Sequence, residues 1–497
     1  MYLLRPAIPK RRNNNRNQAA GYTQHMLRTF FLGVTFVLAL LVTSSPSLSA
    51  QAESPEVFAL GVAIPKVTTL VDSQQSYALY LPTSYSREKI WPVVYVFDPA
   101  ARGGLAVQQF QHAAQLHGFI VAASNNSRNG PRAPELEAAN AVVRDTQQRL
   151  SVDLKRIYFA GFSGGARVAS QLAQICKCAA GVLLSGAGFS RGSVASQGSP
   201  FAVFSAVGNA DFNYSEIIPL QDTLQRAAFA SWLRVFDGSH QWAPPEIMDE
   251  ALAWFRVQSM KTQRAPRDDE FLAAQFLSAQ NRALLFEKDG DLLAAWREYR
   301  QIAATYDALR QVSAIRAKAT ELEKEKALKD VVKHEKNDFE EQERLSNEIL
   351  AAFSATDRAD SQQSEALARA LVQAKDLRLR AANEKKPQRA LVFKRALAGV
   401  FIGSMESGGD ALEKKNYASA AQQFACATEA NPESEWAWRN LAVARAFSGD
   451  RKGTIDALRS ARTVTTNPAG FSDWLNHELA FEKLHSVPEF QHVGGRN

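Results

Sequence analysis

The sequence is poor in cysteine, with only Cys176, Cys178 and Cys426 in 497 residues. A framework of disulfides of the kind that staples small secreted domains is excluded, so stability must come from packing. Cys176 and Cys178 are separated by a single residue, too close for an ordinary disulfide, and all three are expected as free thiols. No Cys/His cluster completes a zinc site, and neither a metal nor an organic cofactor is expected. The chain also lacks an uninterrupted apolar run of about 20 residues, the length that a membrane-spanning helix needs. Its best stretch is 29–42, TFFLGVTFVLALLV. Acidic residues are missing before Glu53, whereas Arg5, Lys10, Arg11, Arg12, Arg16 and Arg28 all fall there and account for six units of the net charge of +7. The remainder is almost neutral, which removes the case for nucleic acid or another polyanion as partner.

What that N-terminal stretch does contain is the pattern of a secretory signal. A basic residue, Arg28, precedes the short apolar run, and the small residues around Ala50-Gln51-Ala52 offer a cleavage site. Residues 1–52 are therefore expected to be a signal peptide and the mature chain to be exported, periplasmic or secreted, with no stable membrane span after cleavage. The same residues left uncleaved would form an anchor. Beyond them the composition, 46% hydrophobic and 22% charged, is that of globular protein, and the length calls for two or three domains.

A change of texture near residue 265 marks one boundary. Before it, strand candidates at 76–81, 93–97, 119–123, 156–160, 182–185, 201–207 and 232–236 alternate with helical candidates near 105–116, 134–150, 165–174, 215–227 and 244–257. That alternation predicts a mostly parallel sheet covered on both faces. After it, strand signals vanish. A helical connector or bundle is expected over 263–395, with the charge-dense stretch 313–353 as a solvated helix or a coiled-coil partner surface. Over 396–497 a pattern of about 34 residues recurs. Its first copy carries Ala420, Phe424, Ala427 and Pro432, and its second Trp438, Leu441, Gly449, Leu458 and Ala461. A fainter echo, Gly290, Ala295 and Tyr299, follows the α/β segment.

The chemistry concentrates in the α/β segment, 53–262. Gly161-Phe162-Ser163-Gly164-Gly165 sits between a strand candidate and a helix candidate, where a sharp turn between small residues would lift the Ser163 hydroxyl off the sheet. The backbone N–H of Gly164, at the helix start, is the expected first donor to an oxyanion. A hydroxyl needs a base, and His240, in the loop after 232–236, is the one histidine that follows Ser163 within this segment. Asp211, in the loop after 201–207, is positioned to orient the imidazole, with Asp237 as the alternative. The second oxyanion donor is expected in the loop Asp98-Pro99-Ala100-Ala101-Arg102-Gly103-Gly104. Pro99 has no N–H, which leaves Ala100 as the candidate.

These motifs, GFSGG, GNAD and GSHQW in that order, resemble the α/β-hydrolase superfamily. The likeness is to compact esterases such as polyhydroxyalkanoate depolymerases, feruloyl esterases and dienelactone-hydrolase-like proteins. The later repeats resemble the tetratricopeptide family. The resemblance implies an α/β-hydrolase domain with a mostly parallel sheet, followed by an all-α, tetratricopeptide-like helical domain. It further implies a serine esterase that uses Ser163, Asp211 and His240 on an ester substrate, with a protein or peptide as ligand of the repeats; together with the N-terminal signal pattern, an exported one is expected. The chain departs from the superfamily at Asp98-Pro99, where a His-Gly pair commonly opens the oxyanion loop, and at Asn209, where Thr is usual. Two alternatives follow: a repeat-based adaptor with a degenerate hydrolase domain, and a serine peptidase of prolyl-oligopeptidase type. No insertion large enough for a lid is present between 185 and 201, so an open, shallow site is expected.

Overall fold

Among the described residues, eight strands form one sheet in the order β1-β2-β4-β3-β5-β6-β7-β8. They are β1 (Ala63–Thr68), β2 (Ser76–Tyr80), β3 (Trp91–Phe97), β4 (Ile120–Ser124), β5 (Val152–Phe162), β6 (Ala179–Ser185), β7 (Ala202–Gly208) and β8 (Ser231–Phe236). β2 runs antiparallel to both β1 and β4, and every other pairing is parallel. The computed structural model describes residues 57–130, 132–190, 201–354 and 360–494. The expected signal segment, 1–52, lies outside them, as does most of the short link between 185 and 201.

The parallel strands read as unbroken apolar runs because helices cover both faces. Successive side chains along β3 divide between two cores. Val94 and Val96 join α1 (Gly103–His117) and α5 (Pro245–Lys261) on one face. Val93, Tyr95 and Phe97 join α2 (Arg132–Arg149) and α3 (Gly164–Cys176) on the other. Between β7 and β8 lies α4 (Tyr214–Arg226). Strand β1, which the pattern does not announce, carries Pro65 and Lys66 and is an edge strand, where a missing N–H costs nothing.

All further elements are helical: α6 (Asp269–Lys288), α7 (Leu292–Tyr306), α8 (Ser313–Lys324), α9 (Lys326–Ser354), α10 (Asp360–Asn383), α11 (Pro387–Glu413), α12 (Tyr417–Ala430), α13 (Glu435–Phe447), α14 (Arg451–Val464), α15 (Pro468–His477) and α16 (Pro488–Val493), with a 3₁₀ turn at Leu479–Leu484. Three of the helix–helix turns are built alike. A residue in the left-handed region, Gly290, Lys415 or Gly449, is followed at once by Asp291, Asn416 or Asp450. The second residue of each pair caps the next helix by accepting from a backbone N–H three positions on. Each such cap contributes about 1 kcal/mol. Ala420, Phe424, Ala427, Leu441, Leu458 and Ala461, the residues of the repeating pattern, are buried together between α12, α13 and α14.

Packing does not pause at residue 262. Leu272 and Ala279 of α6 and Ala295, Tyr299 and Ile302 of α7 belong to the same apolar core as Phe255 of α5 and Phe204 of β7. Side chains of α7 also reach the sheet edge. Buried Arg234 of β8 donates to buried Glu298, with half-buried Glu250 and Arg282 completing the ionic group, and Gln301 accepts the N–H of Leu233. Farther along, Phe339 of α9 packs with Tyr214, Ile217 and Leu233.

One sequence expectation is corrected here. Cys176 and Cys178 are joined as a disulfide, with Cα atoms 5.1 Å apart. Lys177, which ends α3, adopts the left-handed conformation at φ 53° and folds the chain back on itself, so that two cysteines this close in sequence can meet. Cys426 is a buried free thiol, and burial pushes its pKa up to about 11.

Candidate active site

Ser163 stands at the tip of the turn from β5 into α3, with φ 52° and ψ −121°. A non-glycine residue rarely adopts this backbone, and the surrounding chain must hold it there. Its N–H donates to the Ser185 carbonyl of β6 at 2.8 Å. The flanking glycines are dictated by contact. A Cβ on Gly161 would overlap the Gly165 carbonyl, and one on Gly165 would overlap the Phe97 carbonyl of β3. Both obstacles are backbone and cannot swing aside.

The loops after β7 and β8 bring the other two residues to this turn. His240 Nε2 lies 2.9 Å from Ser163 Oγ, and His240 Nδ1 lies 2.9 Å from both Asp211 Oδ1 and Oδ2. Asp211 is fully buried, and Oδ1 also accepts the Asn213 N–H at 2.8 Å. The imidazole is enclosed by Phe162 and Phe212, whose ring centroids are 4.7 and 4.4 Å away. Asp237 is not in this chain of contacts. Its carboxylate accepts from Asn209 Nδ2 at 3.0 Å, and Asn209 Oδ1 accepts the Gly238 N–H, so Asn209 ties the aspartate loop to the histidine loop.

Of the two candidate oxyanion donors, Gly164 is the first residue of α3, where a backbone N–H has no partner within the helix. Ala100 differs from expectation. Its N–H donates to Asp98 Oδ1 at 2.9 Å and is therefore turned away from the site. Asp98 is buried and also accepts from Arg102 Nε and Nη2, at 2.8 and 2.9 Å, and from Trp242 Nε1 at 2.9 Å. Burial alone would raise its pKa. The hydrogen bonds from Arg102, Trp242 and Ala100, together with the Arg102 charge, outweigh burial and hold the carboxyl below its ordinary range. A lowered carboxylate pKa stabilises the fold above the unfolded value of about 4, and that contribution fades as pH falls through the folded value. In Asp98→Asn the amide would put a donor against Trp242 Nε1 or against Arg102. We expect a loss of about 1–3 kcal/mol, read as a lower denaturation midpoint near neutral pH.

The cleft over Ser163 has a volume of about 590 Å³ and is lined by Asn129, Gly164, Arg167, Phe212, Glu216, Ile402 and Glu406, among others. Two of those residues come from α11, far along the chain, so the helical region adds a wall to a site expected to be open and shallow. Arg395 of α11 donates to the Asn209 carbonyl at 3.1 Å, and Gln342 of α9 donates to the Phe212 carbonyl at 2.7 Å. Sequence reasoning missed this wall because nothing local links α11 to the GNAD loop. A larger hollow of about 790 Å³, lined by Gln225, Lys261, Arg300 and Arg316, contains none of the three site residues. Size therefore does not locate the chemistry. Among the described residues there is no group of His, Cys, Asp and Glu able to hold a metal ion, and no helix is long and apolar enough to cross a membrane.

A parallel sheet ordered 1-2-4-3-5-6-7-8 with an antiparallel second strand, a serine on the β5–α3 turn, and carboxylate and imidazole loops after β7 and β8 define one architecture. Residues 57–262 have the α/β-hydrolase fold. Solved structures similar to this α/β domain include the Staphylococcus aureus fluorophosphonate-binding serine hydrolase FphF (14% identity, 39% of this chain and 97% of that one, TM-score 0.32). Others are a Pyrobaculum calidifontis esterase (12%, 41% and 86%, TM-score 0.34) and a ferulic acid esterase (17%, 38% and 93%, TM-score 0.31). No protein-family model and no curated protein matches the sequence.

Proposed function

We propose that the chain is a serine hydrolase acting on carboxylic esters through an acyl-enzyme. The observation that carries this reading is the continuous hydrogen-bonded path from Ser163 Oγ through His240 to buried Asp211, with Ser163 held at φ 52°. In the first step a lone pair of Ser163 Oγ forms a bond to the ester carbonyl carbon. The carbonyl π pair moves onto its oxygen, and the hydroxyl proton passes to His240 Nε2. As that oxyanion collapses, the bond to the alcohol oxygen breaks and the departing alkoxide takes the proton from His240. Water then repeats the sequence on the acyl-enzyme and releases the acid. Asp211 keeps Nδ1 protonated and stabilises the imidazolium.

A fluorophosphonate probe tests the reading. Purified wild type should be labelled, and labelling should vanish in Ser163→Ala. Short-chain and long-chain nitrophenyl esters assayed beside peptide amides then separate an esterase from a peptidase of prolyl-oligopeptidase type.

A second reading has one observation in its favour. With the Ala100 N–H engaged by Asp98, a hydrolase scaffold whose oxyanion loop is closed could serve the helical repeats as a mere support, the whole acting as a protein-binding adaptor. An unlabelled, fully folded wild type would favour it.

A further inference from the structure

The serine-hydrolase reading leaves a vacancy in the machinery. An oxyanion formed at Ser163 needs at least two donors held in place, and Gly164 offers one while Ala100 is committed elsewhere. Two nearby cations are committed too. Arg102 is bound to Asp98, and both outer nitrogens of Arg167 pair with Glu216 at 2.9 and 2.8 Å while one of them also donates to the Phe189 carbonyl.

Resting on that reading, we propose that the side-chain amide of Asn129 is the second oxyanion donor, in place of a backbone N–H of the loop after β3. Asn129 lies between β4 and α2, in a segment fastened directly to the 98–104 loop. Its own N–H donates to the Pro99 carbonyl at 2.8 Å, and its neighbour Arg128 forms an isolated antiparallel bridge with Ala100. The side chain crosses from there to the backbone immediately after Ser163. A Cβ on Gly164 would overlap Asn129 Oδ1 and would stand 2.7 Å from Cγ and 3.1 Å from Nδ2. Glycine at 164 leaves room for the amide, and a Cβ there would push it aside. Asn129 lines the same cleft as Ser163 and Gly164, and its amide has no hydrogen-bond partner among the described residues. A half turn of the amide exchanges its oxygen and nitrogen, so an N–H can meet the oxygen that receives the carbonyl π pair. The group is neutral, so no proton has to move for it to act.

The test compares Asn129→Ala with Asn129→Asp, which keeps the shape but places a carboxylate where a donor is required. We expect kcat for a nitrophenyl ester to fall about 10²–10³-fold in both, the loss typical of one oxyanion-hole donor, with KM within about threefold of wild type because the contact is made only in the transition state. Inhibition by a trifluoromethyl ketone, whose adduct with Ser163 carries the same oxyanion, should weaken in parallel. Thermal denaturation of each variant shows that it is folded. The proposal is overturned if folded Asn129→Asp turns over within about threefold of wild type, or if the loss falls on KM. Fluorophosphonate labelling of wild type separates the two levels. A labelled wild type with unimpaired Asn129 variants removes this donor and leaves the serine hydrolase, whereas an unlabelled wild type removes both.

Discussion

On the proposed serine-hydrolase reading, replacing His240 by alanine is expected to lower kcat by about 10⁶-fold, and Asp211→Asn by about 10⁴-fold, the scale on which members of a catalytic triad act as a unit. The two losses differ because the residues do different work. His240 Nε2, 2.9 Å from the Ser163 hydroxyl, is the group that would accept its proton, and the alanine variant lacks it. Asp211→Asn leaves the ring in place, but the amide presents a donor to Nδ1, and the imidazole then turns its own N–H toward the serine. Asp211 faces Nδ1 with both oxygens and is sealed from water, so no solvent molecule can substitute for the lost acceptor. Single-turnover kinetics with a nitrophenyl ester measures both. A His240→Ala enzyme within tenfold of wild type would mean that another group deprotonates Ser163.

The second large effect concerns stability. Glu298 of α7 is buried beneath Arg234 of β8 and Arg282 of α6. Burial would raise its pKa, yet Arg234 and Arg282 outweigh burial and bring it below the ordinary range. Removing the carboxylate in Glu298→Ala leaves Arg234, itself buried, without its main counter-charge. A loss of about 3–5 kcal/mol is expected, because an uncompensated charge in the interior costs far more than the pair contributed. Urea denaturation should show the midpoint falling. The sign of the pH dependence follows from the lowered pKa. The contribution is complete above the unfolded carboxylate value of about 4 and disappears as pH falls through the folded value, so mutant and wild type should converge in acid. Equal midpoints at pH 7 would show that Glu250 alone satisfies Arg234.

Much of the fold was legible because its signals are local. The unbroken apolar runs of β3 and of the inner part of β5 (Ile157–Phe162) mark strands buried on both faces. Gly161 and Gly165 mark a turn that admits no side chain, and Asp211 and His240 each follow directly on a strand. What could not be read depends on residues distant in sequence. The role of Asp98 is set partly by Trp242, 144 positions away. The cleft wall at Ile402 depends on docking far along the chain, in which Arg395 and Gln342 bond to the loops carrying Asn209 and Phe212. Asn129, a polar residue in a loop, carries no pattern of its own. The Cys176–Cys178 pair was missed because spacing alone says nothing of Lys177 turning left-handed.

β8 ends the sheet, and a bare strand end is a template for another chain. Gln301 and Glu298, more than sixty residues downstream of Leu233 and Arg234, cover it. During synthesis the whole sheet can therefore be spelled out while its last strand still lacks its cover. Until α7 has emerged, that rim is open to pairing with a neighbouring nascent chain, and the interval is set by the time needed to translate the intervening residues.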